Sequence, residues 1–282
     1  MHLARGFYVS CSVLVLSADT ADGLNQYRYH SPILTFGLSQ TMEQNFNLQL
    51  ASETITNDAK LLGVTVDELQ RICVRVNAKV SQQSRLCLQL TYQIVLSSKV
   101  LAEQLDWPMW ESTQVTFSDY LWEETCLECF ITGRSINCEE SISNQPTESY
   151  IEINASPNGR YALYQFERYR TPATLPPPRL KKPDGHTLAN IDWMPHTEPS
   201  VDPTKAQLPD PLSASQPSYH YQRQYSVPLK RTGSRQYTIE SLTIEKIHPC
   251  VILWFGETAL YFASSHATPP DFHNQDYWSV FE

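Results

Sequence analysis

Glycine is scarce in this sequence, and so are basic charge and long apolar runs. The 282 residues include nine glycines, and they contain no P-loop and no dinucleotide-binding fingerprint. Acidic residues outnumber basic ones by 30 to 21, which gives a net charge of −9. Because phosphate binding needs a basic face, this balance argues against a nucleic-acid partner. No segment reaches the roughly 18 consecutive apolar residues that a membrane-spanning helix needs.

The cysteines do not form a disulfide framework. There are seven, an odd number, and they are scattered along the chain. Cys126 and Cys129 have C-x-x-C spacing, but residues three apart in a strand point to opposite faces, so a shared metal or redox pair is not expected. Free thiols are typical of a reducing compartment and favour a cytoplasmic location. The alternative is export, because residues 1–21 have the outline of a signal peptide.

Alternating β-branched and aromatic residues predict a series of short strands. The predicted strands are 70–80, 85–96, 121–131, 149–155 and 160–168, with further strands after 225. The turns SQQS and SPNG join the members of two hairpins. Helical periodicity is nearly absent, apart from one helical turn predicted within NDAKLLGVTVDELQ. This pattern predicts an all-β fold, an antiparallel β-sandwich.

A proline-rich stretch interrupts the strands at about residues 176–218. Proline cannot donate a ladder hydrogen bond, so this stretch is predicted to be a long loop, partly ordered by Ile191, Trp193 and Met194. Too few strands follow it to close a second core. We therefore expect one domain over residues 46–282, with this loop as an insertion, and a poorly defined N-terminal extension over residues 1–45.

The segment LWEETCLECFI, residues 121–131, carries unusual residues on what would be its solvent face. One face of the predicted strand holds Leu127, Cys129 and Ile131, and the other holds Trp122, Glu124, Cys126, Glu128 and Phe130. In YIEINA, one face holds Tyr150, Glu152 and Asn154. Aromatic rings stack on sugar rings, while carboxylates and amides bind hydroxyls. If the two strands are neighbours, these faces predict a carbohydrate site formed by Trp122, Glu128, Tyr150, Glu152 and Asn154.

The same face has a purely structural interpretation. Buried carboxylates are normally paired, and three arginines follow closely in the next strand, namely Arg160, Arg168 and Arg170. One of them could bind both Glu128 and Glu152, which would make the face an ion-pair layer without a ligand. The chain would then be a structural or interaction domain.

A second group of polar residues lies in SSHATPPDFH. His266, Asp271 and His273 could hold a metal or perform acid–base catalysis, which would make the chain an enzyme. In the simpler alternative, Asp271 caps the turn and the histidines bond to backbone groups. A haem would need axial ligands, for which Met109 with His266 or His273 are the candidates. We favour no cofactor over haem.

Three segments resemble the successive signatures of bacterial DOMON-like domain proteins, in the same order as in that family. The matching residues are Leu121, Trp122, Thr125, Cys126, Glu128, Phe130, Tyr150, Glu152, Asn154, Ser156, Pro157, Gly159, Tyr169, Arg170, His266, Pro270, Asp271, Phe272 and His273. The resemblance covers about residues 45–282. Cys129 and Ala155 depart from the family pattern, which affects the expected shape of the pocket rather than the fold.

The resemblance implies a β-sandwich similar to family 9 carbohydrate-binding modules and to the sugar- or haem-binding DOMON domains. It implies a non-catalytic ligand-binding module rather than an enzyme. Together with the residue pattern, it predicts a carbohydrate or other small-molecule ligand, bound by the residues named above and by the His266–His273 segment.

Overall fold

A computed structural model describes residues 42–82, 86–135, 148–182, 184–194, 218–229 and 242–282. These residues belong to one compact unit, Ser39–Glu282. Their strands are β1 (Glu43–Leu50), β2 (Cys73–Gln82), β3 (Leu86–Leu96), β4 (Cys126–Ser135), β5 (Tyr150–Ala155), β6 (Tyr161–Phe166), β7 (Asp192–Trp193), β8 (Tyr219–Pro228), β9 (Leu242–Phe255), β10 (Thr258–Ala263) and β11 (Ser279–Val280). Their helices are α1 (Ile55–Leu62), α2 (Val66–Gln70) and α3 (Lys99–Gln104).

The strands form one curled antiparallel sheet in the order β6-β5-β4-β9-β10-β1-β2-β3-β8-β7, with β11 paired to β9. We call β1, β2, β3, β8 and β7 the first half-sheet and β10, β9, β4, β5 and β6 the second half-sheet. The pairing of β1 with β10 joins the halves through Gln49↔Ala263 and Leu50↔Phe262. This junction is short compared with the ten paired positions of β2 and β3.

The two half-sheets pack face to face across an apolar core. Alternate residues of each strand point into it, such as Val76 and Ile94 from the first half-sheet and Leu127 and Ile153 from the second. Polar contacts also cross the core, since the Tyr92 hydroxyl donates a 2.7 Å hydrogen bond to the backbone oxygen of Glu128. We call the core-facing side of the second half-sheet its inner face.

The outer face of the second half-sheet, the side away from this core, is also buried. A second cluster lies there, formed by Cys126, Phe130, Tyr150, Ala162, Tyr164, Phe166, Cys250, Ile252 and Ala263 with the covering residues Leu121 and Trp278. The cover comes from irregular chain before β4 and after β10. Cys129 belongs to the inner-face core, so the two cysteines of the C-x-x-C point to opposite faces, as predicted.

The predicted all-β antiparallel class is confirmed, whereas several local predictions were wrong. The predicted strand at 121–131 begins only at Cys126, because Leu121–Glu123 form a 3₁₀ turn after Tyr120, whose φ is 64°. Strand β1 was not predicted, and it spans the expected boundary between extension and domain at residue 45. The helical turn expected within 57–70 is two helices, α1 ending at Gly63 with φ 68° and α2 starting at a capping box of Thr65 and Glu68.

Part of the proline-rich stretch is packed against the sheet. Leu180 bonds to Leu163 of β6, and β7 pairs with β8. Leu180, Ala189 and Ile191 are buried in the main core, so the described part of the expected loop is, apart from β7, irregular in backbone but packed on the sheet. Residues 195–217 and the predicted signal-peptide segment lie outside the described residues. No helix in the described ranges has the length and apolar character of a bilayer span.

Candidate functional site

A cavity of about 470 Å³ lies over the outer face of the second half-sheet. Its floor is formed by Glu128 and Phe130 of β4, Glu152 of β5, Phe166 of β6 and Ile252 of β9. Its walls come from irregular segments, namely Trp122, residues 170–177 and residues 270–273, with Tyr261 of β10 at one side. The site therefore combines a rigid floor with walls contributed by loops.

Strand register brings the two glutamates to the same side. In the pairing of β4 with β5, Glu128 lies opposite Asn154 and Phe130 lies opposite Glu152. Glu128 and Glu152 are thus diagonal neighbours of the same parity, a relationship in which long side chains can reach one another. The expectation that they share one face is confirmed, and Trp122 lines the same cavity, although from the 3₁₀ turn rather than from the strand.

Burial changes the acidity of both carboxyl groups. Glu128 is 3% exposed and Glu152 is 4% exposed. Desolvation raises the pKa of Glu152 to about 7, against smaller lowering effects of Asn154 and Arg170. Desolvation, and then the neighbouring Glu152, raise the pKa of Glu128 well above its ordinary value. Two such groups side by side retain a proton between them near neutral pH.

None of the three candidate arginines pairs with these glutamates in the described structure. Arg160 forms its ion pair with Glu124, and Arg170 forms its ion pair with Asp271 at 2.8 Å. Arg168 is exposed and has no ion pair among the described residues. Among the described residues, no arginine therefore forms the ion-pair layer that the structural interpretation of Glu128 and Glu152 required.

Asn154 supports Glu152 rather than lining the cavity. Its Nδ2 donates a 2.7 Å hydrogen bond to Glu152 Oε1. The Asn154 side chain is fully buried, and its Oδ1 has no hydrogen-bond partner. Asn154 lies directly opposite Glu128 in the pairing of β5 with β4. The amide thus holds the Glu152 carboxyl group in place from within β5.

His273 and Tyr150 form a neutral hydrogen-bond relay beside Glu152. Tyr150 Oη accepts a 3.1 Å bond from the backbone N–H of Arg170 and lies 2.8 Å from His273 Nδ1. Burial, then Arg170, lower the pKa of His273 to about 4, so its ring is neutral at pH 7. With the tyrosine hydrogen directed to Nδ1, the ring hydrogen is on Nε2, which lies 3.8 Å from Glu152 Oε2. Tyr150 therefore orients the histidine but does not line the cavity.

Asp271 ties the two wall segments together. It accepts hydrogen bonds from the Tyr169 hydroxyl at 2.5 Å, from Arg170 at 2.8 Å and from the backbone N–H of His273 at 3.0 Å. These bonds and the Arg170 charge outweigh burial and hold the pKa of Asp271 below its usual value. This use of Asp271 resembles the turn-capping alternative more than a catalytic role.

His266 does not join His273 and Asp271 in one site. Its Nε2 lies 2.8 Å from the backbone oxygen of Gln49, and it does not line the cavity. Within the described ranges, no group of three or more His, Cys, Asp or Glu side chains is arranged to hold a metal. The structure thus does not bring the three residues of the predicted enzyme centre together.

Met109 is not placed to ligate a haem together with His273. Its side chain is 85% exposed. The neighbouring Glu111 bonds to Asn158 at the turn end of the β5–β6 hairpin, whereas His273 contacts Tyr150 and Phe166 at the other end. Six paired residues separate these ends, roughly 17 Å at strand spacing. A single iron cannot bind ligands so far apart.

Sequence reasoning missed several cavity residues. Tyr261, Phe166 and Leu175 line the cavity but were not singled out, whereas Phe272 and Arg170 were named in the family motifs without being assigned to the site. For Tyr261 a signal was available, because Leu260 and Phe262 point inward and alternation sends Tyr261 to the outer face. For Leu175 there was none, since its place depends on the path of a proline-rich loop.

Comparison with known proteins gives one distant similarity. Neither a protein-family model nor a curated protein sequence matches the chain. A solved structure described as a putative carbohydrate-binding protein from Bacteroides uniformis is similar over 85% of this chain and 86% of that chain, with 11% sequence identity and a TM-score of 0.41. At this level, the similarity carries no argument about the ligand.

Proposed function

We propose that the chain is a non-catalytic ligand-binding module and that its ligand is a carbohydrate held in the outer-face cavity. One observation carries the proposal: two buried carboxyl groups, which have no cationic side-chain partner among the described residues, form part of the floor of an aromatic cavity. Burying such groups costs stability, so their presence is more readily explained by a ligand than by packing.

The chemistry of the cavity suits a polyhydroxylated ring. Trp122, Phe130 and Tyr261 offer aromatic surface on which the apolar side of a sugar ring can stack. A carboxylate accepts hydrogen bonds from hydroxyls, and a protonated carboxyl group also donates one. A volume of about 470 Å³ lies within the range of small-molecule sites.

The resemblance to DOMON-like proteins supports the same proposal. The three motif segments are far apart in sequence, yet each contributes to one cavity: Trp122 and Glu128 from the first, Glu152 and Arg170 from the second, and Asp271 and His273 from the third. We therefore also propose that the chain is a DOMON-like module. Such convergence is expected when motifs are constrained by a shared ligand site.

A sugar-binding screen tests the proposal directly. Thermal-shift and calorimetric titrations with a panel of mono- and disaccharides are expected to reveal at least one sugar that raises the melting temperature. Trp122→Ala should weaken binding of that sugar by about tenfold or more, since stacked aromatic residues dominate such sites. Trp110→Ala is the matched control, because Trp110 packs on Trp193 outside the cavity and should leave the affinity unchanged.

The proposal fails if no sugar in the panel shifts the melting temperature of the native protein. It also fails if Trp122→Ala and Trp110→Ala weaken binding equally, since the sugar would then bind elsewhere. Haem belongs in the same screen: a Soret band that Met109→Ala removes would favour haem over carbohydrate.

A further inference from the structure

We propose that the cavity selects a ligand with a positively charged amine, so that its carbohydrate is an amino sugar, with Glu128 and Glu152 as the receptor for the ammonium group. This inference rests on the proposed function, because it assumes that the outer-face cavity is the sugar site. It goes further in naming the class of sugar.

The charges around the cavity are not balanced within the described structure. Arg170 is the cationic side chain among the residues lining it, and its charge is matched by Asp271. His273 is neutral at pH 7 because of its lowered pKa. What remains is the pair Glu128 and Glu152, which can carry up to two negative charges.

An ammonium group can replace the proton that the two carboxyl groups retain. In the empty cavity, desolvation and mutual repulsion favour one neutral carboxyl group. When an ammonium group lies between them, the attraction in a poorly solvated site favours two carboxylates. The carboxyl proton is then released to solvent, and the ligand's charge is satisfied by two anions.

The aromatic walls also suit a cation. Trp122, Phe130, Tyr261 and Phe272 line the same cavity as the carboxyl groups. The negative faces of such rings attract an ammonium group, and the attraction grows when the cation is desolvated. A neutral sugar can stack on these rings, but it has no positive charge for their negative faces to attract.

The other titratable groups around the pair do not supply the missing charge. From the strands, the thiols of Cys126 and Cys250 and the phenols of Tyr164 and Tyr261 face it, and burial raises the pKa of each, so they stay neutral. Tyr150, also with a raised pKa, stays neutral beside His273. From the walls, Arg170 and Asp271 neutralise one another.

The test compares matched pairs of sugars on the full chain. Calorimetric titration at pH 7 with glucosamine and glucose, galactosamine and galactose, and mannosamine and mannose measures the preference for the amine. We expect at least one amino sugar to bind about tenfold more tightly than its neutral partner. Repeating that titration in two buffers of different ionisation enthalpy should show release of up to one proton per ligand bound.

Variants assign the preference to the glutamates. Glu152→Gln should remove most of the amine preference, and Glu128→Gln serves the same purpose if the first variant does not fold. Glu124→Gln is the control, since Glu124 is paired with Arg160 and does not line the cavity, and it should keep the preference.

The possible failures are distinguishable. If a neutral sugar binds as tightly as its amino counterpart, without proton release, the amine inference is overturned and the carbohydrate function stands. If none of the six sugars, nor any sugar of the wider panel, binds, both statements are wrong. If an amino sugar is preferred but Glu152→Gln and Glu128→Gln both keep that preference, the receptor lies elsewhere and the inference is overturned.

Discussion

The two faces of the second half-sheet are buried to nearly the same extent but are built from different chemistry. On β4, Leu127, Cys129 and Ile131 of the inner face and Phe130 of the outer face are each at most 1% exposed, and Glu128 is 3% exposed. The inner face meets the first half-sheet with apolar side chains. The outer face keeps two carboxyl groups against a cavity. Burial therefore does not distinguish a core from a site, whereas unpaired polar groups do.

The covers of the two faces differ as well. The inner face is covered by regular strands of the first half-sheet, held in place by their own ladders. The outer face is covered by irregular segments that are tied together by Asp271, Arg170 and Tyr169. Side-chain contacts between loops are easier to open than a sheet, which would suit the proposed entry of a ligand at this face.

The largest loss of stability should follow when a large side chain is removed from the inner face. Leu127→Ala removes a fully buried side chain from the packed core, and we expect it to lower the free energy of unfolding by about 2–5 kcal/mol. Denaturant unfolding measures this change. Leu61→Ala is the control, because Leu61 is 65% exposed and its loss should cost less than about 0.5 kcal/mol. A loss below about 1 kcal/mol for Leu127→Ala would contradict the packing argument.

On the outer face, removing a carboxyl group should stabilise the protein at neutral pH. The folded pKa of Glu152 is raised to about 7, so the folded state holds the proton more tightly than the unfolded state between pH 4.5 and 7. The contribution of Glu152 to the free energy of unfolding therefore falls as the pH rises from 4.5 to 7. Glu152→Gln should gain about 1–3 kcal/mol over the wild type at pH 7.5 and nothing at pH 4.

Unfolding curves at both pH values, compared with Glu43→Gln as a substitution at an exposed position, measure the gain. A Glu152→Gln variant that is less stable than the wild type at pH 7.5 would mean that the carboxylate makes a stabilising contact not described above. The gain is expected to accompany loss of ligand binding, a frequent trade-off at binding sites.

The outer-face histidines should act in the opposite direction. Burial, and then His266, lower the pKa of His248 to about 4, so below pH 6.5 the unfolded state takes up the proton first. The contribution of His248 to the free energy of unfolding is fully present above pH 6.5 and is lost as the pH falls towards 4. His248→Gln should therefore gain about 1–2 kcal/mol relative to the wild type between pH 7 and pH 4.5. An unchanged pH profile would show that His248 is not buried as described.

The smallest effect should come from the ion pair at the edge of the outer face. Arg160 and Glu124 are about one third and one quarter exposed, so solvent screens their attraction. Glu124→Gln should change the free energy of unfolding by less than about 1 kcal/mol and should become silent in high salt. A larger loss would mean that the pair organises the turn before β4.

Residue alternation along the strands was enough to predict the floor of the cavity, whereas its walls depend on tertiary packing. Alternation is a property of the chain itself, so Glu128 and Glu152 could be assigned to one face before their neighbours were known. That β9 would lie on the other side of β4 could not be deduced, because the strand order is set by long-range pairing. Trp122 was assigned to the site because it was predicted to lie in a strand, but it lies in a 3₁₀ turn that also directs it to the cavity.

The positions of the covering loops could not be predicted from the sequence either, because they too depend on tertiary packing. Proline content predicted irregular chain from about residue 176, but not that residues 172–177 would lie over the outer face. His266 and His273 were grouped because they are close in sequence, yet His266 lies against the backbone oxygen of Gln49 whereas His273 bonds to Tyr150. Proximity along an irregular segment says little about proximity in space.

The position of β4 between β5 and β9 also bears on how the chain reaches its native state. β5 follows β4 closely, but β9 pairs with β4 across roughly 120 residues of sequence, as in Glu128↔Cys250. Closing so long a loop is slow compared with forming a hairpin. During synthesis, the β4–β5–β6 hairpins can form early with their acidic face still in water. The carboxyl groups lose their contact with water only when β9 and the segment around His273 pack against them. The floor of the cavity is therefore completed in the last steps of folding.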